Sequence, residues 1–218
     1  MFITFATMDM FDRALNAYLE QTCDAESELL RRINRETHLR ETAAHMLSGH
    51  YQGRVLAMFS QLVQPRRVLE VGTFTGYATL CLAEGLHPEG VIHTIDNNEE
   101  LFDRVQGYFD ESGYADRIVY HIGQAERVIP TIGEAFDLVF IDADKNNNER
   151  YFDMALARAR PGALLLIDNT LWKGKVIAGS SDNQTRQIAL LNEKLTNDER
   201  VDKLMLPIRD GLFMLRKR

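Results

Sequence analysis

Over the first quarter of the chain apolar residues fall at helical spacing, at Leu15, Tyr18, Leu19, Leu29, Leu30 and Ile33 and then at Leu47, Val55, Leu56, Phe59 and Leu62. This predicts helix over most of residues 12–60. After Pro65 the pattern changes to short apolar runs at 68–71, 91–95, 118–121, 138–141 and 163–167, each the length of a strand and separated by stretches long enough for a helix. Alternation of that kind predicts a parallel sheet with right-handed crossovers. A last helix is expected at about 183–195. Runs at 203–207 and 212–215 then read as two strands joined at Asp210-Gly211, a turn pair that predicts an antiparallel hairpin. With no repeat, low-complexity tract or linker, residues 1–218 are expected to form one α/β domain: a helical region over 1–64 and a core over 65–218.

Composition narrows the class. At 218 residues and 45% hydrophobic the chain is long enough for one sizeable core. A net charge of −7 argues against nucleic acid as the main partner, because phosphate binding needs a basic surface. Cys23 and Cys81 are too few for a disulfide framework and lack metal-binding spacing, so a reducing compartment, the cytoplasm, is expected. The opening Met1-Phe2-Ile3-Thr4-Phe5-Ala6 is apolar but stopped by Asp9 and Asp12, too short for a signal or a membrane span.

The segment Glu70-Val71-Gly72-Thr73-Phe74-Thr75-Gly76 joins the first strand to an amphipathic helix. Gly72 is expected to supply the sharp turn and Gly76 to open the helix, placing a cofactor over a strand end and a helix N-terminus. A dinucleotide loop would carry a further glycine where Thr73-Phe74-Thr75 stands. A cofactor without a pyrophosphate fits better, and S-adenosylmethionine is one. Asp96 ends the second strand, placed to accept hydrogen bonds from ribose hydroxyls or to cap the helix beginning near Asn98. Gly123-Gln124-Ala125-Glu126 follows the third strand and is placed to edge an adenine ring.

Two neighbouring strands end in acids, at Ile141-Asp142-Ala143-Asp144-Lys145 and Ile167-Asp168-Asn169. Parallel neighbours deliver such ends to one crevice. Asp142, Asp168 and Asn169 are hard oxygen donors suited to Mg²⁺, Mn²⁺ or Ca²⁺; alternatively, they are polar caps on buried strands. Lys145, three residues past Asp142, is within reach of the crevice, where like charges would favour the neutral amine that takes a proton from a phenol. Asp144 opposes that shift if it points inward. His93 and His121 show no metal spacing. Trp172 reads either as a lid over an aromatic substrate or as a core anchor. Arg31, Arg32, Arg35 and Arg40 form a basic stretch, either a solvated helix face or a site for an acidic tail.

The ordered segments Leu69-Glu70-Val71-Gly72-Thr73-Phe74-Thr75-Gly76-Tyr77, Phe140-Ile141-Asp142-Ala143-Asp144-Lys145, Asp168-Asn169-Thr170-Leu171-Trp172-Lys173-Gly174 and Leu206-Pro207-Ile208-Arg209-Asp210-Gly211-Leu212 resemble the cation-dependent, S-adenosylmethionine-dependent O-methyltransferases of the catechol and caffeoyl-coenzyme A type. The resemblance implies a class I methyltransferase, Rossmann-like fold with a mostly parallel seven-stranded sheet. It implies Asp142, Asp168 and Asn169 as metal ligands, Lys145 as the catalytic base working with Asp142, and Trp172 beside the substrate. It implies cofactor contacts from Met46, Ser48, Glu70, Gly72, Thr73, Phe74, Gly76, Tyr77, Ala78, Asp96, Asn97, Gly123, Gln124, Ala125 and Asp142. A small aromatic hydroxyl compound as acceptor and a homodimer are implied as well. Where related sequences carry Ser after Gly-Tyr, this chain has Ala78, and Ser48 or Thr79 is expected to replace the lost hydroxyl. The segment Gly179-Ser180-Ser181-Asp182 is expected to border the acceptor. The competing readings are a nicotinamide-dependent oxidoreductase, which would want the absent glycine, and a non-catalytic cofactor-binding module, which has no use for Asp142, Lys145, Asp168 and Asn169 together.

Overall fold

A computed structural model describes residues 13–178 and 182–218; the apolar opening segment and residues 179–181 lie outside the described residues. The elements run α1 (Arg13–Thr22), α2 (Glu28–Arg40), α3 (Gly49–Val63), β1 (Arg67–Val71), α4 (Tyr77–Ala83), β2 (Val91–Asp96), α5 (Phe102–Glu111), β3 (Ile118–Ile122), α6 (Ala125–Val128), β4 (Phe136–Ile141), α7 (Asn148–Arg158), β5 (Ala159–Asp168), α8 (Lys175–Ala178), α9 (Asn183–Asn197), β6 (Val201–Leu206) and β7 (Leu212–Lys217). The seven strands form one sheet in the order β3-β2-β1-β4-β5-β7-β6. The first five are parallel; β7 runs antiparallel to both β5 and β6. This is the mostly parallel seven-stranded arrangement, with an antiparallel last pair, that the resemblance implies.

Side chains alternate across the sheet, so each strand feeds two cores. Val68, Leu138, Phe140 and Leu166 pack under α2, α3, α4 and α5 with Leu56, Tyr77 and Phe109. Leu69, Val71, Val139, Ile141, Leu165 and Ile167 pack under α7 and α9 with Phe152, Leu191 and Leu195. Strands buried on both faces read as continuous apolar runs, which is why they were legible.

Several boundaries differ from the expectation. The helical N-terminal region is three helices interrupted at 23–27 and 41–48, with Ser27 capping α2 by accepting from the Leu30 amide at 3.2 Å. The helix α4 is not amphipathic but buried on every side, because α3 covers its outer face. At the contact, a Cβ on Gly53 would lie 2.7 Å from Tyr77 Cε1 and 2.8 Å from Cys81 Sγ, so the two helices approach as closely as they do only because position 53 has no side chain. The strand β6 starts and stops earlier than predicted, ending before Pro207, which has no amide to donate to the ladder. Its antiparallel partnership with β7 is as expected, but the connection is a five-residue loop, 207–211, closed by Gly211 N donating to Ile208 O at 2.9 Å rather than a two-residue turn. Among the described residues no helix is long and apolar enough to cross a membrane.

Candidate active site

Register brings the chemistry together. Ile95, Val71, Ile141 and Ile167 lie in one row across β2, β1, β4 and β5. The next residue on each strand is therefore Asp96, Gly72, Asp142 and Asp168, one row at the carboxyl edge of the sheet. Backbone bonds lace this edge: Gly72 N to Ile95 O at 2.9 Å, Asp142 N to Val71 O at 2.9 Å and Gly123 N to Asp96 O at 2.8 Å. A crevice of about 1510 Å³ opens above it, roofed by residues 41–51 and walled by Trp172, Lys173, Arg209 and Asp210. That is ample for a nucleoside-sized ligand together with a small acceptor.

Of the expected cofactor residues, Met46, Ser48, Gly72, Thr73, Phe74, Tyr77, Ala78, Asp96, Asn97, Gly123, Gln124, Ala125 and Asp142 line the crevice. Glu70 and Gly76 do not. Gly76 is the left-handed N-cap of α4 (φ 79°), where a Cβ would meet Phe109 at 2.7 Å, so its role is to seat the helix. Gly72 (φ 104°) would drive a Cβ to 2.1 Å from Asp142 O; it allows the β1 and β4 ends to meet.

Glu70 lies wholly buried beneath the loop, accepting from Thr94 Oγ1 at 2.6 Å and from Thr79 Oγ1. Burial pushes its carboxyl up to about 8 against the pull of those two donors. It ties β1, β2 and α4 together and does not face the crevice. The same bond corrects the expectation for Thr79, whose hydroxyl is committed to Glu70 and cannot replace the one missing at Ala78. Ser48, in the crevice wall and making no cap bond of its own, retains that capacity.

Asp96 accepts from the Phe74 amide at 2.7 Å and from the Asn98 amide at 2.9 Å. The carboxylate thus holds the glycine loop and faces the crevice. The cap of the following turn is Asn98, which accepts from Glu100 N at 3.1 Å.

On the other side Lys145 Nζ sits between Asp142 Oδ1, at 3.2 Å, and Asn169 Oδ1, to which it also donates. Asp168 is buried and accepts from the Asn169 amide at 2.7 Å and from Gln52 Nε2 at 2.7 Å. Burial first, and the neighbouring Asp142 second, raise its carboxyl above the ordinary range. A cation therefore already bridges two of the three expected ligands. The Asp142 carboxylate and the Asn169 amide oxygen on the lysine ammonium, with the buried Asp168 carboxylate beside them, form a donor set that fits a hard divalent cation. Among the described residues no three His, Cys, Asp or Glu side chains gather into a metal-holding group, here or elsewhere; this set has two acids and an amide. Asp144 also lines the crevice, but its carboxylate is engaged by Asn147 N at 3.2 Å and by Tyr151 OH at 2.9 Å rather than by Lys145.

The loop after β5 holds Asn169 (φ 61°), Trp172 (φ 46°) and Lys173 (φ 53°) in the left-handed region. Asn tolerates that conformation; a tryptophan there marks a strained wall. Trp172 belongs to this wall and to neither core layer. His93 and His121 contact each other at 3.0 Å, and His93 contacts Glu134 at 3.2 Å, away from the crevice. The four arginines of α2 are exposed and outside the crevice; Arg32 pairs with Glu111 at 2.6 Å and Arg40 with Glu36 at 3.6 Å.

Sequence reasoning missed two residues. Gln52 reaches Asp168 from α3, 116 positions away. Arg209 donates to Leu47 O at 2.6 Å, to Ser48 O and to His45 O at 3.4 Å, clasping the crevice roof. A glutamine inside a helix carries no sequence signal, but Arg209 lies within a segment that the resemblance had already marked.

Residues 20–218 match a family model described as O-methyltransferase. The chain is 39% identical over 132 residues to a catechol O-methyltransferase of Mycobacterium tuberculosis, a match spanning 60% of each chain. It is 32% identical over 196 residues to caffeoyl-CoA O-methyltransferase 1 of Eucalyptus globulus, covering 82% of this chain and 80% of that one. The O-methyltransferase TomG from Streptomyces achromogenes, solved in complex with SAM, superposes with a TM-score of 0.85 at 27% identity over 94% of this chain and 96% of its own.

Proposed function

The chain belongs to the O-methyltransferase family, and from that premise we propose that it transfers a methyl group from S-adenosylmethionine to a hydroxyl of a catechol-like or hydroxycinnamoyl-type acceptor, with a divalent cation held by Asp142, Asp168 and Asn169. The membership sets aside the nicotinamide oxidoreductase and the non-catalytic module. The observation that carries the cation and the acceptor is the convergence of Asp142 Oδ1 and Asn169 Oδ1 on one cationic atom, Lys145 Nζ, beside buried Asp168. When bound, the cation supplies positive charge that lowers the pKa of an acceptor hydroxyl, and the sulfonium supplies an electrophilic methyl.

The residues divide the remaining work. Asp96 and the Gly72 loop orient the nucleoside at the ends of β1 and β2. Asp142, Asp168 and Asn169 would hold the cation, and Lys145, whose ammonium donates to Asp142 and Asn169, would first pass a proton to solvent and then, as the free amine, accept the hydroxyl proton at Nζ. The oxygen then bonds to the methyl carbon as the carbon–sulfur bond breaks. Products are a methyl ether, S-adenosylhomocysteine and one proton. Trp172 shapes the acceptor wall and limits water there.

Metal-stripped protein should be inactive on a panel of catechols and hydroxycinnamoyl thioesters in EDTA, and Mg²⁺ or Mn²⁺ should restore transfer from labelled S-adenosylmethionine. Undiminished transfer in excess EDTA after stripping would reduce Asp142, Asp168 and Asn169 to strand caps.

A further inference from the structure

We infer that Gln52 is a positioning residue for the divalent cation: by fixing the carboxylate of Asp168 it sets the affinity of the Asp142–Asp168–Asn169 site. The inference rests on the cation reading proposed above. Both oxygens of Asp168 are held by protein donors, Oδ1 by the Asn169 amide at 2.7 Å and Oδ2 by Gln52 Nε2 at 2.7 Å. Each oxygen keeps a second lone pair, so the carboxylate is aimed without being used up. The Asn169 amide is part of the strand end and comes with the fold. Gln52 supplies the side-chain donor, and it comes from a separate element.

Nothing else accounts for Gln52. It is 1% exposed, and its Oε1 is buried with no partner, so the amide gives up one hydrogen bond to keep its donor on Asp168. Its position is enforced from two sides. Gly53 next to it lets α3 close on Tyr77 and Cys81, and Arg209 grips the Leu47 and Ser48 carbonyls at the start of the same helix. The amide is thus built into a helix, directly after the residues that roof the crevice. Ligands steered by such outer partners commonly lose about 10–100-fold in metal affinity when the partner is removed.

The test is a Mn²⁺ titration of metal-stripped protein, followed by the paramagnetic resonance of free Mn²⁺. Calorimetry with S-adenosylhomocysteine in the absence of metal runs alongside. The wild type should bind one Mn²⁺, and Asp168→Ala should abolish binding. Gln52→Leu, close in volume but without the donor, should raise the Mn²⁺ Kd about 10–100-fold while the S-adenosylhomocysteine Kd stays within about twofold of wild type. Gln52→Asn keeps the amide one methylene short of Asp168 and should shift Mn²⁺ affinity in the same direction; it decides the matter where Gln52→Leu fails to fold. Wild-type Mn²⁺ affinity in the Gln52 variants, with binding lost in Asp168→Ala, overturns the role of Gln52 and leaves the cation reading standing. A parallel loss of S-adenosylhomocysteine affinity overturns it too, since the helix would then be supporting the whole crevice. Absence of Mn²⁺ binding by the wild type overturns the cation reading and this inference with it.

Discussion

At the scale of single residues the site separates groups that face the crevice from groups that hold it up. Lys145 faces it, with Nζ on the oxygens of Asp142 and Asn169. Replacing Lys145 with Ala should lower turnover on a catechol by about 10²–10⁴-fold. Calorimetry should show S-adenosylhomocysteine affinity unchanged, because the proposed reading seats the nucleoside by Asp96 and the Gly72 loop and not by this lysine; full turnover across neutral pH would remove it from proton transfer. Glu70 holds the site up from below. Its carboxyl is raised from 4.5 to about 8 by burial, so between those values the folded protein keeps a proton that the unfolded chain releases. Stability from this group is therefore greatest below the unfolded value and falls as pH rises toward about 8, by an amount on the order of a few kcal/mol. Glu70→Gln cannot ionise and should lose less stability between pH 5 and pH 9 in urea unfolding. Parallel loss in both proteins would show that Glu70 ionises freely.

At the scale of elements, the segment between α2 and α3 and the loop between β6 and β7 are distant in sequence and joined by one guanidinium. Arg209 has a left-handed backbone (φ 47°) and donates to the carbonyls of His45, Leu47 and Ser48 ahead of α3. Its neighbour Asp210 accepts from the Lys173 amide in the crevice wall, and Leu171 N donates to Asp210 O at 2.8 Å. One loop thus braces both the roof and the Trp172–Lys173 wall of the crevice. In Arg209→Ala, amide hydrogen exchange over residues 43–50 should speed up while the β1, β4 and β5 amides keep their protection, and S-adenosylhomocysteine should bind several-fold more weakly. Unchanged exchange over 43–50 would mean that the helices position the roof unaided.

At the scale of the whole molecule, a sheet covered on both faces leaves its carboxyl edge as the place where a ligand can enter between layers, and the crevice lies there. Anything that binds this crevice stabilises the fold by mass action, about 2.7 kcal/mol at a hundred times its Kd. S-adenosylhomocysteine should raise the thermal midpoint accordingly and NAD should not. The loop supports this distinction, since Phe74, itself at φ 47°, occupies the ground where a dinucleotide loop has glycine. A larger shift with NAD would overturn the cofactor assignment.

The strands and their order of appearance were legible because strands buried on both faces are mostly apolar in sequence, as at Val68, Leu69 and Val71 around the buried Glu70 or at Leu138 to Ile141. The acids that end them were legible for a related reason: a polar residue directly after such a run has to lie at the sheet's edge. Register then needed no further information to align Asp96, Asp142 and Asp168, since each follows its apolar run at once. What the sequence alone did not determine is where hydrogen-bonding capacity is spent. Thr79 and Glu70 face each other inside the core, Asn98 rather than Asp96 caps the turn, and Gln52 and Arg209 reach partners more than a hundred residues away. Those choices follow from the distance and angle between packed helices, which pattern does not encode, and only the tertiary structure decided them.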